Sequence, residues 1–355
     1  MIPASFRHTL CALFCCGFAL LLWASSSIAS DKAASSSLPS ASRRFSATCH
    51  FSSGISESDA LIVAQTAARI DVLHTVVKDL VTLPEIRIAG SINASADRAP
   101  NLLALAHATA RTSLILHGKS RKDATITATV ALQDDTDTPA MVARVREALL
   151  HPDRLALHEK TVLREMALLK SFDTAFSAPL AKAETHALLP SPETLSPLVR
   201  ELRALDIFSR QLSRRNGIWQ NPAAIREAMQ TALELAPESA LCRNAMGDAL
   251  LQLGRSQEAL EEQTLAIKAE PHFARAFHSR GAAAMALGHL SSAVADFSEA
   301  IRLSPQTATY HQSRGMAWRL LGESKAMCND LQQACILGKC KEFQIVIENF
   351  HCIDK

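Results

Sequence analysis

Few residues in this sequence have the types and spacing of a catalytic or metal-binding site. Asp134, Asp135 and Asp137 could offer oxygen ligands to Ca²⁺. Their segment lacks the glycine and the closing glutamate of a calcium loop and precedes Pro139, so a turn followed by a helix start is the favoured interpretation. The Gly-x-Ser-x-Gly, Gly-x-x-x-x-Gly-Lys and His-Glu-x-x-His motifs do not occur. The sequence therefore predicts no catalytic residue, no metal site and no cofactor.

Histidines are the remaining candidates for acid–base chemistry. Three of them are widely spaced and are predicted to lie on the surface: His151, His158 and His186. An enzyme with its site between residues 46 and 170 is kept as a less favoured alternative. It would require a deep polar pocket around His107, Asp123 or Asp134.

The cysteine spacing predicts one disulfide. Six of the nine cysteines lie beyond residue 29: Cys49, Cys242, Cys328, Cys335, Cys340 and Cys352. If the chain turns back at Gly338, the Cα atoms of Cys335 and Cys340 could come within the roughly 5.5 Å that a bridge prefers. Cys328 and Cys335 would share a helix face but lie too far apart to bridge, so Cys328 or Cys352 could pair elsewhere. Cys242 is interpreted as a small core residue, and the lack of paired Cys-x-x-Cys spacings disfavours zinc.

Residues 1–29 have the layout of a secretory signal peptide. Arg7 and His8 precede an apolar run from Leu10 to Trp23, and a small-x-small pattern ends at Ala29. The alternative is an uncleaved membrane anchor, but the apolar run is shorter than the roughly 20 residues that span a bilayer. We therefore expect export, with the periplasm of a Gram-negative bacterium as the favoured location and no stable membrane insertion after cleavage.

The overall composition is that of a globular protein. Hydrophobic residues make up 48% of the chain and charged residues 20%, with a formal net charge of +2. A near-neutral chain with one tyrosine and three tryptophans lacks the basic stripe and the aromatic platforms of a general nucleic-acid binder. No nucleic-acid partner is predicted.

Residues 46–170 are predicted to form a small α+β domain. A capping box at Ser56 opens a helix that is expected to end near Asp79. Hydrophobic patterning predicts the further elements: a strand at 86–92, a helix at 101–110, a hairpin of strands at 112–116 and 124–132, and helices at 140–150 and 153–169. This domain lies between a flexible linker at 30–45 and a proline-rich connector at 171–194.

The last third of the chain carries a repeat of 34 residues. Gly247, Gly281 and Gly315 keep this spacing. Three further series follow it: Gly254, Gly288 and Gly322; Ala266, Ala300 and Ala334; Pro271 and Pro305. A fixed period of this length predicts an array of helix pairs. Residues 195–236 are expected to be capping helices and a half repeat, residues 237–340 three repeats, and residues 341–355 a C-terminal capping helix.

These residues resemble the tetratricopeptide repeat family. The second unit, from Ala274 to Pro305, has glycine, alanine, phenylalanine and proline at the family positions. The resemblance implies an all-α array whose first helices line a groove that binds a peptide or helix of a partner protein. It places nine residues in that groove: Asn244, Asp248, Leu251, Arg275, His278, Met285, Gln312, Met316 and Arg319. Arg280 and Arg314, which precede glycines, are expected to tie neighbouring units together.

The sequence thus predicts a non-catalytic scaffold of the cell envelope, with an α+β domain followed by a protein-binding repeat array. An accessory subunit of an envelope assembly or secretion machine is the principal alternative. Purification with one large complex, instead of with several separate partners, would favour that alternative.

Overall fold

The computed structural model describes residues 42–50, 56–81, 102–110, 112–120, 125–133, 138–150, 152–177, 192–212, 214–215, 218–350 and 352. The predictions that fall outside these residues concern the signal peptide at 1–29, most of the linker and of the connector, the strand at 86–92, the four aspartates Asp123, Asp134, Asp135 and Asp137, and the histidines His151 and His186.

A three-stranded antiparallel sheet forms the β part of the fold. Its strands are β1 (Ser42–His50), β2 (Thr112–Ser120) and β3 (Thr125–Gln133), in the order β1-β3-β2. The pairing of β2 with β3 confirms the predicted hairpin. Strand β1 was not predicted, and it begins within the segment interpreted as a linker.

The sheet has one polar face and one buried face. On the polar face, hydroxyl groups pair across β1 and β3, Ser46 with Thr129 and Thr48 with Thr127, each at 2.8 Å. On the other face Cys49, Ile126 and Ala128 are buried in the core. This division is typical of an antiparallel sheet that packs on helices from one side.

The described residues of the α+β part also contain four helices: α1 (Glu57–Val81), α2 (Leu102–Thr109), α3 (Thr138–Leu149) and α4 (Pro152–Ser177). The predicted cap is present at α1, where the Ser56 hydroxyl accepts from the Asp59 backbone N–H at 3.2 Å. Leu73, Val76 and Leu80 form a buried face of α1. Among the described helices α1 alone has the length and composition of a membrane span, but half of its most apolar window is buried inside the protein.

A short segment links the α+β part to the repeats. It comprises α5 (Pro192–Arg210), a two-residue strand pair β4 (Arg214–Arg215) and β5 (Ile218–Trp219), and α6 (Pro222–Leu235). The residues predicted as capping helices and a half repeat, 195–236, thus also contain a short strand pair that was not predicted. Trp219 is buried, and its backbone N–H donates to Gln252 Oε1 at 2.9 Å.

Three helix pairs follow, as the 34-residue period predicts. They are α7 (Ala240–Gln252) with α8 (Ser256–Ala269), α9 (Ala274–Ala286) with α10 (Leu290–Leu303), and α11 (Ala308–Leu321) with α12 (Ser324–Ile336). The final helix α13 (Lys341–Phe350) packs on α12. The fold is therefore an α+β part followed by an all-α, tetratricopeptide-like array, as predicted.

Two glycines of the pattern show why the repeat folds as a helix pair. A Cβ atom at Gly281 would lie 2.8 Å from the Phe297 ring and 3.1 Å from the Ala293 carbonyl oxygen, so only glycine lets α10 cross α9 this closely. Gly322 has a φ of 82°, the left-handed conformation that ends α11. The Glu323 N–H then donates to the Trp318 carbonyl at 3.0 Å and turns the chain toward α12.

The α+β part and the repeats share a hydrophobic core. A single cluster of buried residues includes Ile126 of β3, Phe172 of α4, Phe208 of α5 and Phe273 at the start of α9. Residues 41–355 accordingly form one compact unit. The two regions that the sequence predicts as separate domains thus pack directly on each other.

Candidate protein-binding groove

The first helices of the three pairs lie side by side, with α9 contacting both α7 and α11. We call the surface formed by α7, α9 and α11 the groove. Residues 34 positions apart occupy the same place in successive units. Two places along the three first helices therefore each carry a set of three equivalent residues. These are Asn244, His278 and Gln312 at one place and Asp248, Ala282 and Met316 at the other.

Asn244 belongs to the interior of the array. Only 1% of the residue is exposed, and its Nδ2 donates to Gln263 Oε1 at 2.8 Å and to Ser279 Oγ at 3.2 Å. Gln263 is fully buried, and its Nε2 donates back to the Asn244 carbonyl oxygen at 3.0 Å. The prediction that Asn244 contacts a partner is therefore corrected, because α8 and α9 already satisfy its amide.

Asp248 and Arg275 form an ion pair between the first two units. Arg275 Nη2 donates to Asp248 Oδ2 at 2.9 Å, and Arg275 Nε donates to Asn244 Oδ1 at 3.2 Å. The two side chains are 10% and 12% exposed, respectively. Their charges are compensated within the protein, so neither residue presents a free charge to a partner.

His278 lies between aromatic rings of two units. Its ring stacks on Tyr310 with centroids 4.9 Å apart and contacts Phe297 at 5.5 Å. Its Nε2 is 2.9 Å from Ser313 Oγ. The ring is half-buried, so one part of it remains on the groove surface.

The remaining groove residues are more accessible and mostly apolar. Leu251, Met285, Gln312 and Met316 are half-buried, and Arg319 is exposed. Thioether and aliphatic side chains adapt to varied apolar partners. The half-buried groove residues are thus mostly apolar, and the exposed one is a cation, Arg319.

Partly buried arginine–aspartate pairs join the two helices of the second unit and of the third. Arg280 donates to both carboxylate oxygens of Asp296, at 2.9 and 2.7 Å, and Arg314 donates to both oxygens of Asp330 at 2.8 Å. Each of these pairs joins the two helices of one unit. The expectation that both arginines tie neighbouring units is therefore wrong for their ion pairs, which lie within one unit. Arg314 also donates to Ser298 Oγ of the preceding unit, at 3.0 Å.

Two disulfides close the C-terminal end. Cys335 is joined to Cys340, as predicted, and Cys328 to Cys352, a pairing that the sequence left open. The second bond ties the chain beyond α13 to α12. Beneath it, Met327, Leu331 and Val346 form a small buried cluster. Cys49 and Cys242 are buried and lie outside the two disulfides, and burial raises their pKa values to about 12 and about 11.

The α+β part contains a second polar region. His107 Nδ1 of α2 is 2.7 Å from His158 Nδ1 of α4, and His158 is only 5% exposed, which corrects its prediction as a surface residue. A cavity of about 490 Å³ adjoins this pair, in the place where the enzyme alternative requires a polar pocket. In the part of the chain that the structure describes, no three His, Cys, Asp or Glu side chains are grouped to hold a metal.

Ion pairs fill much of that region. Arg69 donates to the fully buried Glu165 and, at 3.4 Å, to Asp206 and Ser209. Arg210 pairs with Asp206 at 2.5 Å. Two guanidinium groups thus face two carboxylates. Burial raises the pKa of Glu165, although the adjacent Arg69 opposes that shift.

Sequence patterns could have indicated some of the residues that were missed. Gln263, Phe297 and Leu331 are equivalent, and each packs against the first glycine of its own unit. This shared position predicts their burial but does not predict that Gln263 bonds Asn244.

This is a helical-repeat protein. Its helices are paired, they cross closely at glycines, and the first helices line a groove. A family model described as Tetratricopeptide repeat matches residues 242–273 and 274–307. Together with the 34-residue pattern, this match shows that the C-terminal part of the chain consists of tetratricopeptide repeats. No curated protein matches the sequence significantly.

Several solved structures resemble part of the chain. A crystal structure of MamA is 18% identical, with 41% of this chain and 80% of that chain covered and a TM-score of 0.34. TTC0263, a thermophilic tetratricopeptide repeat protein of Thermus thermophilus, is 19% identical over 44% and 85% of the two chains, with a TM-score of 0.35. The first such domain of Spaghetti (RPAP3), bound to an HSP90 peptide, is 18% identical over 36% and 94%, with a TM-score of 0.29.

Proposed function

We propose that this protein is a non-catalytic scaffold that binds a segment of a partner protein in the groove of its repeats. Arrays of this kind present extended surfaces to which peptides and helices bind. The observation that carries the proposal is that each of the three first helices has a half-buried apolar side chain among its groove residues: Leu251, Met285 and Met316.

The chemistry of the groove favours an apolar partner segment. Arg275 is neutralised by Asp248, and Lys339 donates at 2.8 Å to Oγ1 of Thr309, the residue equivalent to Arg275 in the third unit. A terminal carboxylate would meet a single exposed cation among the groove residues, Arg319, whereas an amphipathic helix would meet apolar side chains on all three first helices. We therefore propose an amphipathic helix or apolar peptide as the partner segment.

We further propose that the protein works in the cell envelope, in the periplasm of a Gram-negative bacterium. The leader-like residues 1–29 support export. The two disulfides of the last repeat support an oxidising compartment, because cytosolic proteins rarely keep such bonds. The intact mass of the envelope-localised protein tests this directly. A mass lacking residues 1–29 supports export by a cleaved signal, and retention of the full chain in the cytosol contradicts it.

Site-specific photocrosslinking in the native envelope tests the groove. A photoreactive phenylalanine analogue at Gln312 places the probe on the half-buried groove surface of α11. The matched control carries the same analogue at Leu265, which is 40% exposed on the second helix α8. We expect a discrete crosslinked partner from position 312 and not from position 265. Equal crosslinking from both positions, or none from position 312, would contradict the proposal.

The identity of the crosslinked product separates a scaffold from the accessory-subunit alternative. Several independent partners support a general scaffold, and components of one large assembly support the accessory role. Point probes are preferable to a truncation before Pro237, because the shared core would lose Phe273 and the other buried repeat residues that pack on the α+β part.

A further inference from the structure

The two disulfides at the C-terminal end of the protein have different surroundings. All four of their cysteines are half-buried. The Cys328–Cys352 bond packs against the small hydrophobic cluster between α12 and α13. The Cys335–Cys340 bond instead borders the turn between these helices, where Ile336 is 70% exposed. Because thiol–disulfide exchange requires access to a sulfur atom, the surroundings favour the Cys335–Cys340 bond as the one that an external thiolate attacks.

Backbone hydrogen bonds also hold the turn that the Cys335–Cys340 bond closes. The Gly338 N–H donates to the Cys335 carbonyl at 2.9 Å, and the Lys339 N–H donates to the Ala334 carbonyl at 2.8 Å. The φ of 100° at Gly338 is the left-handed conformation that ends a helix. Breaking the disulfide leaves these contacts intact, so the two thiols should stay close enough to rejoin.

The Cys335–Cys340 bond also contributes less to stability than its neighbour. It joins cysteines 5 positions apart, whereas the Cys328–Cys352 bond joins cysteines 24 positions apart. In the chain-entropy model, a bond that closes a shorter loop restricts the unfolded chain less. The Cys328–Cys352 bond is therefore the main covalent anchor of α13, and the protein can lose the other bond without losing this anchor.

The two sulfur atoms of the Cys335–Cys340 bond differ as leaving groups. Cys340 immediately precedes α13, and its carbonyl accepts from the Gln344 N–H at 2.9 Å. A helix N-terminus and neighbouring lysines stabilise a thiolate, and Lys339 and Lys341 flank Cys340 in sequence. Cys335 instead lies in the last turn of α12, where the helix carries partial negative charge. Negative charge is therefore better accommodated on Cys340 than on Cys335.

We propose that Cys335 and Cys340 form a reversible dithiol–disulfide centre that exchanges with an external dithiol. One thiolate of the dithiol attacks Cys335 Sγ, the bond between the two cysteines breaks, and its electron pair goes to Cys340 Sγ. The second thiolate then attacks the dithiol's own sulfur in the mixed disulfide and releases Cys335 as a thiolate. The dithiol is thus oxidised to a disulfide, and its two electrons and two protons pass to the cysteines. This activity does not rest on the proposed partner binding in the groove.

Limited reduction of the full-length protein with dithiothreitol tests the centre. Timed samples are alkylated under native conditions, and each cysteine peptide is quantified by mass spectrometry. We expect Cys335 and Cys340 to become alkylated at least about tenfold faster than Cys328 and Cys352. The buried Cys242 is the internal control, because its protection shows that the protein stays folded. Equal rates for the two bonds, the reverse order, or resistance of both bonds would overturn the proposal.

Reversibility and the position of α13 give two further measurements. After dithiothreitol is removed, oxidised glutathione should restore the Cys335–Cys340 bond. Hydrogen exchange in α13 should not change while this bond is open, because the backbone bonds of the turn and the Cys328–Cys352 bond remain. Thiols that do not rejoin, or loss of protection in α13, would show that the bond is structural and would overturn the proposal.

A pair of lysine variants tests the leaving group. Lys341→Gln removes an exposed cation next to Cys340, and Lys268→Gln removes an exposed cation from α8. We expect the rate of reduction by dithiothreitol to fall about threefold in the first variant and to stay unchanged in the second. Equal rates in both variants would overturn the assignment of Cys340 as the leaving group.

Discussion

Asn244 and Ser279 are joined across the first two repeats by a 3.2 Å hydrogen bond, and His278 and Ser313 stand in the same relation at 2.9 Å one repeat later. This polar contact therefore recurs along the array, and it joins the first helix of one unit to the first helix of the next unit. Its first instance is fully enclosed, whereas the second leaves the histidine ring partly on the groove. We therefore expect Asn244 to contribute to stability and the exposed part of the His278 ring to remain available on the groove surface.

Asn244→Ala should destabilise the array. The substitution leaves buried Gln263 without its amide partner, and an unpaired buried group costs about 1–3 kcal/mol. Urea unfolding of the mature protein measures the loss. Gln312→Ala is the control at the equivalent position of the third unit, where the side chain is half-buried, and we expect a change within about 0.5 kcal/mol. Similar losses in both variants would contradict the burial difference.

Gly281→Ala should destabilise the second unit in spite of the better helix propensity of alanine. The new methyl group would meet the Phe297 ring at 2.8 Å, and overpacking of this kind costs about 1–3 kcal/mol. The higher helix propensity of alanine offsets up to about 1 kcal/mol of this cost. Gly315→Ala should cost less, because its nearest contact is Leu331 at 3.1 Å. Thermal unfolding followed by circular dichroism would show the order, and the reverse order would refute this explanation.

The buried histidine pair should make the protein less stable in mild acid. The pKa of His158 is lowered in the folded state to about 4, so the unfolded chain binds the proton more readily. Stability is therefore complete above pH 6.5 and decreases as the pH falls toward 4, by roughly 3 kcal/mol for this residue. Other charges near the pair include Arg69 and Arg154, which act in the same direction.

The pH effect is measured by urea unfolding at pH 7.5 and pH 5, where most carboxylates remain ionised. His158→Gln should reduce the difference between the free energies of unfolding at the two pH values. A variant that retains the full pH dependence would show that other groups cause it.

Cys352→Ser should release α13 from the last repeat. The lost bond joins residues 24 positions apart, and a loop of this size contributes about 3 kcal/mol in the chain-entropy model. Hydrogen exchange should accelerate in α13 and leave α7 and α9 unchanged. Exchange that remains slow in α13 would mean that packing of Val346 on Leu331 suffices to hold the helix.

The repeat architecture could be predicted because its physical requirements are local. At Gly281 a second helix crosses closely, and at Gly322 a helix ends in a left-handed conformation. Both positions require glycine, so they are visible in the sequence as glycines at a fixed spacing. Strand β1 was missed although Phe45, Ala47 and Cys49 alternate with polar residues. Its serine-rich composition resembles that of a linker, and the strand with which it pairs, β3, lies more than 70 residues away in sequence.

The site residues were harder to predict than the fold. The tetratricopeptide pattern places Asn244 in the groove, but its amide instead donates to the buried side chain of Gln263. His107 and His158 are 51 residues apart in sequence, and only the packing of α2 on α4 brings their rings together. Sequence spacing contains no information about such contacts.

Both ends of the helical array are closed. At the first repeat, α6 packs against α7, and at the last, the Cys328–Cys352 bond holds α13 over Met327 and Leu331. Each end surface on which another repeat could stack is thereby occupied by the chain itself. Arrays with open ends can grow into filaments by end-to-end stacking of molecules. End-to-end stacking of this protein on these two surfaces would therefore first require α6 or α13 to be displaced.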